Sequence, residues 1–350
     1  MRDQGWLRAD MLAQQGTKSQ PLGCEFKRGI PSLPTPCAAE NLSSMPALHA
    51  KTPACQNERM STSTSSFLSN ADGTKVATYT WANIAGRPVA AVQIAHGLAE
   101  HGERYDRFAR QLNAAGFVVH AVDHRGHGRT AGDRLGDFGS AGLSGLIADV
   151  AQYGSALRAQ HGSLPVFLFA HSMGSFAAQA AILDHASTWA GVILSGSTAL
   201  DALAAAMANA PADAPAGLAA FNAAFEHRTG YEWLSRDEAE VDAYVADPWC
   251  GWEVPSDVIP SLFAPASRLA DPALLAGIRS DLPILIASGD ADPLAGGGAL
   301  IQLLGQRYRD AGMADVSVKL YPAARHEILN ETNRDEVTAD MLAWLRAHAA

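Results

Sequence analysis

The sequence predicts an α/β fold with a mostly parallel central sheet, helices on both faces of that sheet and an inserted helical cap. From residue 72 onward, short β-rich runs alternate with helical stretches, the pattern of a parallel sheet built from strand–helix–strand units. The runs at 166–170 and 191–194 are almost continuously apolar, as expected for strands buried on both faces. Between residues 198 and 265 the alternation stops, which indicates an insertion.

The individual elements follow from the same patterns. β-rich runs predict strands at 75–81, 88–96, 117–123, 165–170, 190–195, 283–288 and 316–321. Helical stretches predict helices at 105–115, 143–160, 174–185, 299–311 and 334–349. In sheets of this kind, ligands bind beyond the carboxyl ends of the strands. We therefore expect the functional residues directly after the predicted strands.

The insertion is rich in alanine and has helix-like but irregular apolar spacing, and a turn cluster at 247–252 adds two tryptophans. We predict a separate helical cap over residues 198–265. The core of the fold is then formed by residues 66–197 and 266–350. The alternative is that the inserted segment forms ordinary helices of the layers beside the sheet.

The first 65 residues are predicted to be a disordered extension. They show no sustained period, contain several prolines and end in a polar run of Ser and Thr. Met60 is an alternative initiator within this segment. No apolar stretch follows a basic start as in a secretory signal, so we expect a cytoplasmic protein.

Composition excludes several classes of protein. Of the 350 residues, 48% are hydrophobic, which is too many for global disorder, and no run of apolar residues is long enough to span a bilayer. The net charge of −10 argues against nucleic-acid binding. The four cysteines are too few and too scattered for a disulfide scaffold. A globular enzyme acting on a small molecule fits best.

A candidate nucleophile follows the predicted strand that ends at Ala170. Ser172 comes two residues later, and Gly174 opens a helix of small residues. A nucleophile on a sharp strand-to-helix turn needs small residues two positions to either side, because the backbone packs tightly there. The usual pattern is G-x-S-x-G, from which Ala170 departs. We predict that Ser172 is a nucleophile; the alternative is a helix N-cap.

A serine hydroxyl needs a base to accept its proton and a carboxylate to orient that base. His326, in the loop after the last predicted strand, is the candidate base. A zinc-binding H-E-x-x-H helix is excluded because Asn330 occupies the last position of that motif. Asp290 and Asp292 both follow the strand at 283–288 and compete for the role of orienting carboxylate. Asp290 could instead cap backbone amides in the turn.

Two backbone amides must stabilise the negative oxygen that develops during acyl transfer. One is expected from Met173, the residue after the nucleophile, and the other from a loop after an early strand. The segment Ile94-Ala-His-Gly-Leu98-Ala-Glu-His101-Gly provides this loop, with Leu98 as the expected donor. We expect no proton-transfer role for the two histidines of this loop.

A third cluster, at 123–128, reads Asp-His-Arg-Gly-His-Gly. These residue types suggest a metal or phosphate site. However, His124 and His127 share no face with a further carboxylate, and the glycines suit a tight loop beside the nucleophile. We expect a structural role for this cluster and predict no metal and no cofactor.

Together these motifs resemble the monoacylglycerol lipase and lysophospholipase branch of the α/β-hydrolases, of the serine aminopeptidase S33 type. The resemblance covers about residues 72–349, and the motifs occur in the order typical of that family. It implies the α/β-hydrolase fold with a cap before the acid-bearing strand. It also implies that the acid is Asp292, the fourth residue of a Gly-x-x-Asp turn, and that the oxyanion donors are Leu98 and Met173.

The resemblance implies a serine hydrolase that cleaves lipid esters, above all monoacylglycerol to fatty acid and glycerol, through an acyl-enzyme on Ser172. An apolar cap would stabilise a bound acyl chain by roughly 0.8 kcal/mol per buried methylene. Lysophospholipase, general carboxylesterase and acyltransferase activities stay open as alternatives. The complete set of Ser172, Asp292 and His326 argues against a non-catalytic binding protein. The expected partners are a small lipid ester and, transiently through the cap, a membrane surface.

Overall fold

The computed structural model describes residues 62–209 and 218–349. Its described part contains one eight-stranded sheet, with strands β1 (Ser63–Leu68), β2 (Lys75–Trp81), β3 (Ala90–Ala95), β4 (Phe117–Val122), β5 (Val166–His171), β6 (Gly191–Ser195), β7 (Ile284–Gly289) and β8 (Val316–Tyr321). The strand order is β1-β2-β4-β3-β5-β6-β7-β8. Pairs β1–β2 and β2–β4 are antiparallel, and all other neighbours are parallel. The predicted mostly parallel sheet is thus confirmed.

Helices cover both faces of the sheet. They are α1 (Asp106–Ala114), α2 (Gly128–Ala131), α3 (Gly142–His161), α4 (Met173–His185), α5 (Leu200–Ala208), α6 (Ala219–Asn222), α7 (Glu238–Ala246), α8 (Val258–Leu262), α9 (Ala266–Leu269), α10 (Pro272–Leu275), α11 (Ala299–Asp310) and α12 (Arg334–His348). The five helices predicted from the sequence correspond to α1, α3, α4, α11 and α12, with ends that differ by at most one residue. Two apolar layers, one on each face, bury the sheet between them.

Strand β1 corrects the predicted boundary of the N-terminal extension. The sheet begins at Ser63, inside the segment 1–65 that was expected to lie outside the fold. This edge strand pairs with β2 through its backbone, while most of its side chains are exposed. Its Ser- and Thr-rich sequence therefore shows no apolar alternation. Residues 1–61 lie outside the described part of the chain.

In its described part, the segment between β6 and β7 contains helices α5 to α10. Side chains from residues 198–265, which we call the cap, pack with Phe176 and Ala180 of α4 and with Leu294 in a third apolar cluster. The cap therefore lies against the helix that follows Ser172. In the described ranges, no helix is both long and apolar enough to cross a membrane.

Candidate active site

Ser172 occupies a strained turn between β5 and α4. Its backbone has φ 51° and ψ −122°, a conformation that non-glycine residues rarely adopt. A side chain at Gly174 would meet the carbonyl oxygen of Ala95 at 2.4 Å, which explains the glycine at this position. The Ser172 side chain makes no N-cap hydrogen bond, so the alternative interpretation as a cap is not supported.

His326 and Asp292 meet at this edge of the sheet. His326 Nδ1 lies 2.9 Å from Asp292 Oδ2, and both residues are 1% exposed. Asp292 also accepts hydrogen bonds from the Ser288 hydroxyl at 3.1 Å and from the Leu294 amide at 2.9 Å. These contacts fix the carboxylate, which in turn orients the imidazole. The other ring nitrogen, Nε2, consequently faces away from Asp292.

Asp290 makes a different contact. It is exposed, and its Oδ1 accepts a hydrogen bond from the backbone amide of Ala323 at 2.6 Å. Ala323 has a positive φ of 56°, so this carboxylate stabilises a tight turn before the histidine loop. Of the two candidate acids, the structure brings Asp292 and not Asp290 to His326.

Asp292 determines the protonation of His326. Burial disfavours the imidazolium, but the charge of Asp292 and its hydrogen bond outweigh burial and raise the pKa of His326 above its ordinary value. A neutral imidazole with a raised pKa is a stronger base, and its cation is stabilised in place. This is the behaviour required of a general base.

The backbone around His326 is held by the cap. The His326 amide donates to the Trp233 carbonyl at 3.2 Å, and the Glu327 amide donates to the Leu234 carbonyl at 2.8 Å. The Trp233 ring also contacts the His326 imidazole, with ring centres 4.8 Å apart. The cap therefore forms one wall of the site.

The predicted oxyanion loop follows β3. Leu98 and Met173 line the same cavity as Ser172 and His326. Gly97 comes close to the nucleophile, because a Cβ at Gly97 would lie 3.1 Å from the Ser172 Cβ. Both residues predicted as oxyanion donors thus line the cavity that contains the serine.

The side chains of Glu100, His127 and Tyr244 hold the conformation of this loop. Glu100 accepts hydrogen bonds from the Gly97 amide at 2.5 Å and from the Tyr105 hydroxyl at 3.0 Å. Ala99 has a positive φ of 55°, and its amide donates to His127 Nε2 at 3.1 Å. The Ala99 carbonyl accepts a hydrogen bond from the Tyr244 hydroxyl of the cap at 2.8 Å.

Two histidines of the glycine-rich loops, His96 and His127, make hydrogen bonds to the backbone through both ring nitrogens. His96 Nε2 accepts from the His124 amide at 2.9 Å, and its Nδ1 donates to the Gly97 carbonyl at 2.7 Å. His127 accepts from Ala99 and donates to a backbone carbonyl in the same way. Burial lowers the pKa of both His96 and His127 to about 3, so both stay neutral.

The acidic and basic members of the 123–128 cluster are also structural. Asp123 accepts hydrogen bonds from the Tyr79 hydroxyl at 2.5 Å and from two backbone amides. The buried Arg125 forms ion pairs with Asp149 and Asp72, both at 2.8 Å. A Cβ on Gly128 would clash with the Asp123 carboxylate at 2.4 Å, which explains the glycine.

Within the described residues, one group of side chains has the composition of a metal site, namely His101, Asp247 and Cys250. His101 Nε2 already lies 2.9 Å from Asp247 Oδ2. The other oxygen of Asp247 accepts from the Trp249 amide at 2.9 Å. The His101–Asp247 pair thus connects the oxyanion loop to the cap without requiring an ion.

Ser172 and His326 line the same cavity. Its apolar wall comes mainly from the cap and α4, with Phe176, Leu203, Leu218, Phe221, Trp233, Leu234, Ile259, Leu262, Phe263 and Leu294. Such a wall suits a hydrocarbon chain.

A second cavity, with several charged residues in its lining, shares Glu100, His171 and Glu327 with the first. Arg104 lies in this cavity and bridges two carboxylates, donating to Glu100 at 2.8 Å and to Glu327 at 2.6 and 2.8 Å. The sequence analysis missed this bridge between the oxyanion loop and the histidine loop. The sequence contains one indication of this bridge, because Glu327 directly follows the candidate base His326.

A strained serine after a parallel strand, and a histidine–aspartate pair after the last two strands, define the chain as an α/β-hydrolase. The family described as "Serine aminopeptidase, S33" matches residues 86–333, and the chain belongs to this family. The chain is a carboxylic ester hydrolase. No more specific class follows from the fold alone.

Similar proteins include monoacylglycerol lipase of Mycolicibacterium smegmatis, which is 29% identical over 274 residues covering 75% of this chain and 89% of the relative. Human monoglyceride lipase is 30% identical over 283 residues covering 75% of this chain and 84% of the relative. Among solved structures, a thermostable carboxyl esterase from Bacillus coagulans in complex with glycerol superposes with a TM-score of 0.71 at 27% identity. That alignment covers 83% of this chain and 100% of the esterase.

Proposed function

We propose that this enzyme hydrolyses monoacylglycerols to a fatty acid and glycerol through an acyl-enzyme on Ser172. The observation that carries the proposal is that His326, paired with the Asp292 carboxylate, lines the same apolar cavity as a serine on a strained turn. The names of the two lipase relatives support the choice of substrate.

In the first half-reaction, the Ser172 hydroxyl attacks the ester carbonyl while His326 Nε2 accepts its proton. The amides of Leu98 and Met173 stabilise the resulting oxyanion. When the tetrahedral intermediate collapses, His326 returns the proton to the departing alkoxide, and glycerol leaves. Asp292 holds the imidazole in the reactive tautomer and stabilises its cation throughout.

In the second half-reaction, water replaces glycerol. His326 accepts a proton from the water as it attacks the acyl-enzyme, and returns that proton to Ser172 when the fatty acid leaves. The acyl chain occupies the apolar cavity in both halves. The charged cavity beside Glu327 offers polar groups to the glycerol hydroxyls.

A product assay tests the proposal. The full chain is incubated with monooleoylglycerol, methyl oleate and a lysophosphatidylcholine of the same acyl chain, and fatty acid and glycerol are measured. We expect monooleoylglycerol to be cleaved with the highest kcat/KM. Ser172→Ala should abolish turnover and labelling by a fluorophosphonate. Preferred cleavage of the lysophospholipid, or of the methyl ester, would replace monoacylglycerol lipase by one of the alternative activities.

The same assay measures acyl transfer. An added alcohol competes with water for the acyl-enzyme, so new ester and free fatty acid are quantified together. We expect fatty acid to predominate. A transfer product in excess of fatty acid at millimolar alcohol would assign the enzyme as an acyltransferase.

The cytoplasmic location and a transient membrane contact of the cap stay predictions. Val245, on α7, is 49% exposed and offers an apolar contact at the cap surface. Flotation of the protein with neutral lipid vesicles, compared with Val245→Asp, tests the membrane contact.

A further inference from the structure

Trp233 of the cap lies directly against the proposed base. The residue is 5% exposed, lines the apolar cavity, and its ring is tilted by 35° over the His326 imidazole at 4.8 Å. Its backbone carbonyl also accepts the His326 amide at 3.2 Å. The indole is therefore fixed against the imidazole that must protonate the leaving alcohol.

The Trp233 indole N–H is buried, and no acceptor for it exists in the described part of the chain. An indole nitrogen can only donate, and a buried donor without a partner is destabilising. The indoles of Trp189 and Trp81 are paired, donating to Gln93 at 2.9 Å and to Asp106 at 2.8 Å. Those of Trp252 and Trp344 are, like that of Trp233, buried without a partner among the described residues. Among these three unpaired indoles, Trp233 is the one that lines the Ser172 cavity, where a bound ligand can supply an acceptor.

Other polar side chains of the same wall already have partners. The Tyr244 hydroxyl donates to the Ala99 carbonyl. Glu100 and Glu327 are both bound by Arg104. Within the described chain, Trp233 is thus the residue of this wall whose buried donor has no protein partner.

We propose that Trp233 is a specificity-determining residue whose N–H donates to a hydroxyl oxygen in the alcohol part of the substrate. The glycerol identity of that alcohol rests on the proposed function. His326 must protonate the leaving alkoxide, so the alcohol lies beside the ring that Trp233 covers. The ester carbonyl oxygen is bound by Leu98 and Met173, and the hydrocarbon chain has no acceptor.

Trp233→Phe tests the proposal, because phenylalanine keeps an aromatic ring against His326 and removes the donor. The kcat/KM for monooleoylglycerol should fall about 3- to 10-fold, the value of one neutral hydrogen bond. The kcat/KM for methyl oleate, which has no hydroxyl, should change less than about twofold. Trp233→His, which keeps a ring N–H, should recover part of the preference for monooleoylglycerol.

Trp344→Phe is the matched control. The Trp344 indole is also buried without a partner among the described residues, but it packs on Phe167 at the opposite side of the core. This variant should leave both substrates unaffected. The rate of Ser172 labelling by a fluorophosphonate, which lacks a hydroxyl, reports whether the Trp233→Phe site is correctly folded.

Four outcomes would overturn the inference. Equal losses on both esters with normal labelling would assign Trp233 to packing against His326, and so would equal losses with slowed labelling. No loss on either ester would remove any role for the donor. If the unmodified enzyme cleaves methyl oleate but not monooleoylglycerol, the proposed function fails first and the inference fails with it.

Discussion

Two sets of buried histidines lie at the carboxyl edge of the same sheet, and they differ in their partners. His326 contacts the carboxylate of Asp292, which raises its pKa despite complete burial. His96 and His127 contact backbone groups, and burial lowers their pKa to about 3. The partner, rather than the depth of burial, decides which histidine can exchange protons near neutral pH.

This difference assigns the two sets distinct tasks. His326 alternates between neutral and charged forms during the proposed reaction. His127 keeps one tautomer, in which Nε2 accepts from the Ala99 amide and fixes the backbone of the oxyanion loop. Replacing His326 should lower the catalytic rate, and replacing His127 should mainly lower the stability of the fold.

The largest expected effect comes from His326→Ala. Loss of the base should lower kcat for monooleoylglycerol by on the order of 10⁴- to 10⁶-fold, with the fold retained. His127→Ala leaves the Ala99 amide without its acceptor and should lower the free energy of unfolding by about 1–3 kcal/mol. Steady-state kinetics and urea unfolding of both variants measure the contrast. A comparable loss of kcat in the two variants would contradict it.

The next largest effect separates the two carboxylates. Asp292→Asn removes the charge that stabilises the imidazolium and favours the wrong tautomer, so kcat should fall by about 10⁴-fold. Asp290→Asn weakens only the hydrogen bond to Ala323 and should change kcat less than about threefold, with a stability loss of about 1 kcal/mol. Reversed effects would show that Asp290 is the acid.

A smaller effect appears in the pH dependence of kcat/KM. His326 acts as a base when neutral, so activity rises as pH increases through its pKa. Because Asp292 raises that pKa above its ordinary value, we expect the acid limb of the profile to have its midpoint above pH 6.5. In Asp292→Asn, burial prevails and the midpoint should move below pH 6.5. A wild-type midpoint below 6.5 would contradict the raised pKa.

Much of this site was predictable because its parts are local in sequence. The strands before Ser172, Asp292 and His326 are short, apolar and buried, so periodicity finds them, and the side chains that follow them must converge at one edge. The choice between Asp290 and Asp292 was not local. It depends on which carboxylate faces a histidine 34 residues away, and spacing alone leaves that open.

Other features depend on contacts that leave no local pattern. Strand β1 is stabilised by backbone pairing at the edge of the sheet, and its exposed polar side chains do not alternate. The bridge from Arg104 to Glu327 joins residues 223 positions apart. The position of Trp233 over His326 depends on how the irregular cap folds back onto the core. These contacts are tertiary, and they shape the walls of the cavity rather than the arrangement of Ser172, Asp292 and His326.

The smallest expected effect is on stability in mild acid, where the two sets of histidines act with opposite sign. A histidine with a lowered pKa is protonated more readily in the unfolded chain. His96 and His127 should therefore lower the free energy of unfolding as pH falls from about 6.5 toward about 3, by at most about 1.4 kcal/mol per pH unit each. His326 has a raised pKa, so its pairing with Asp292 stabilises the fold fully below pH 6.5 and less as pH rises through that pKa.

Urea unfolding between pH 5 and pH 8 separates these contributions. The lowered-pKa histidines outnumber His326, so the wild type should lose stability from pH 6.5 to pH 5. His127→Gln should flatten this slope, because it removes one group that gains a proton on unfolding. Asp292→Asn should steepen this slope, since burial would then lower the pKa of His326 below its ordinary value. A slope identical in all three proteins would mean that these imidazoles bind the same number of protons folded and unfolded, and the contrast between the two sets would be lost.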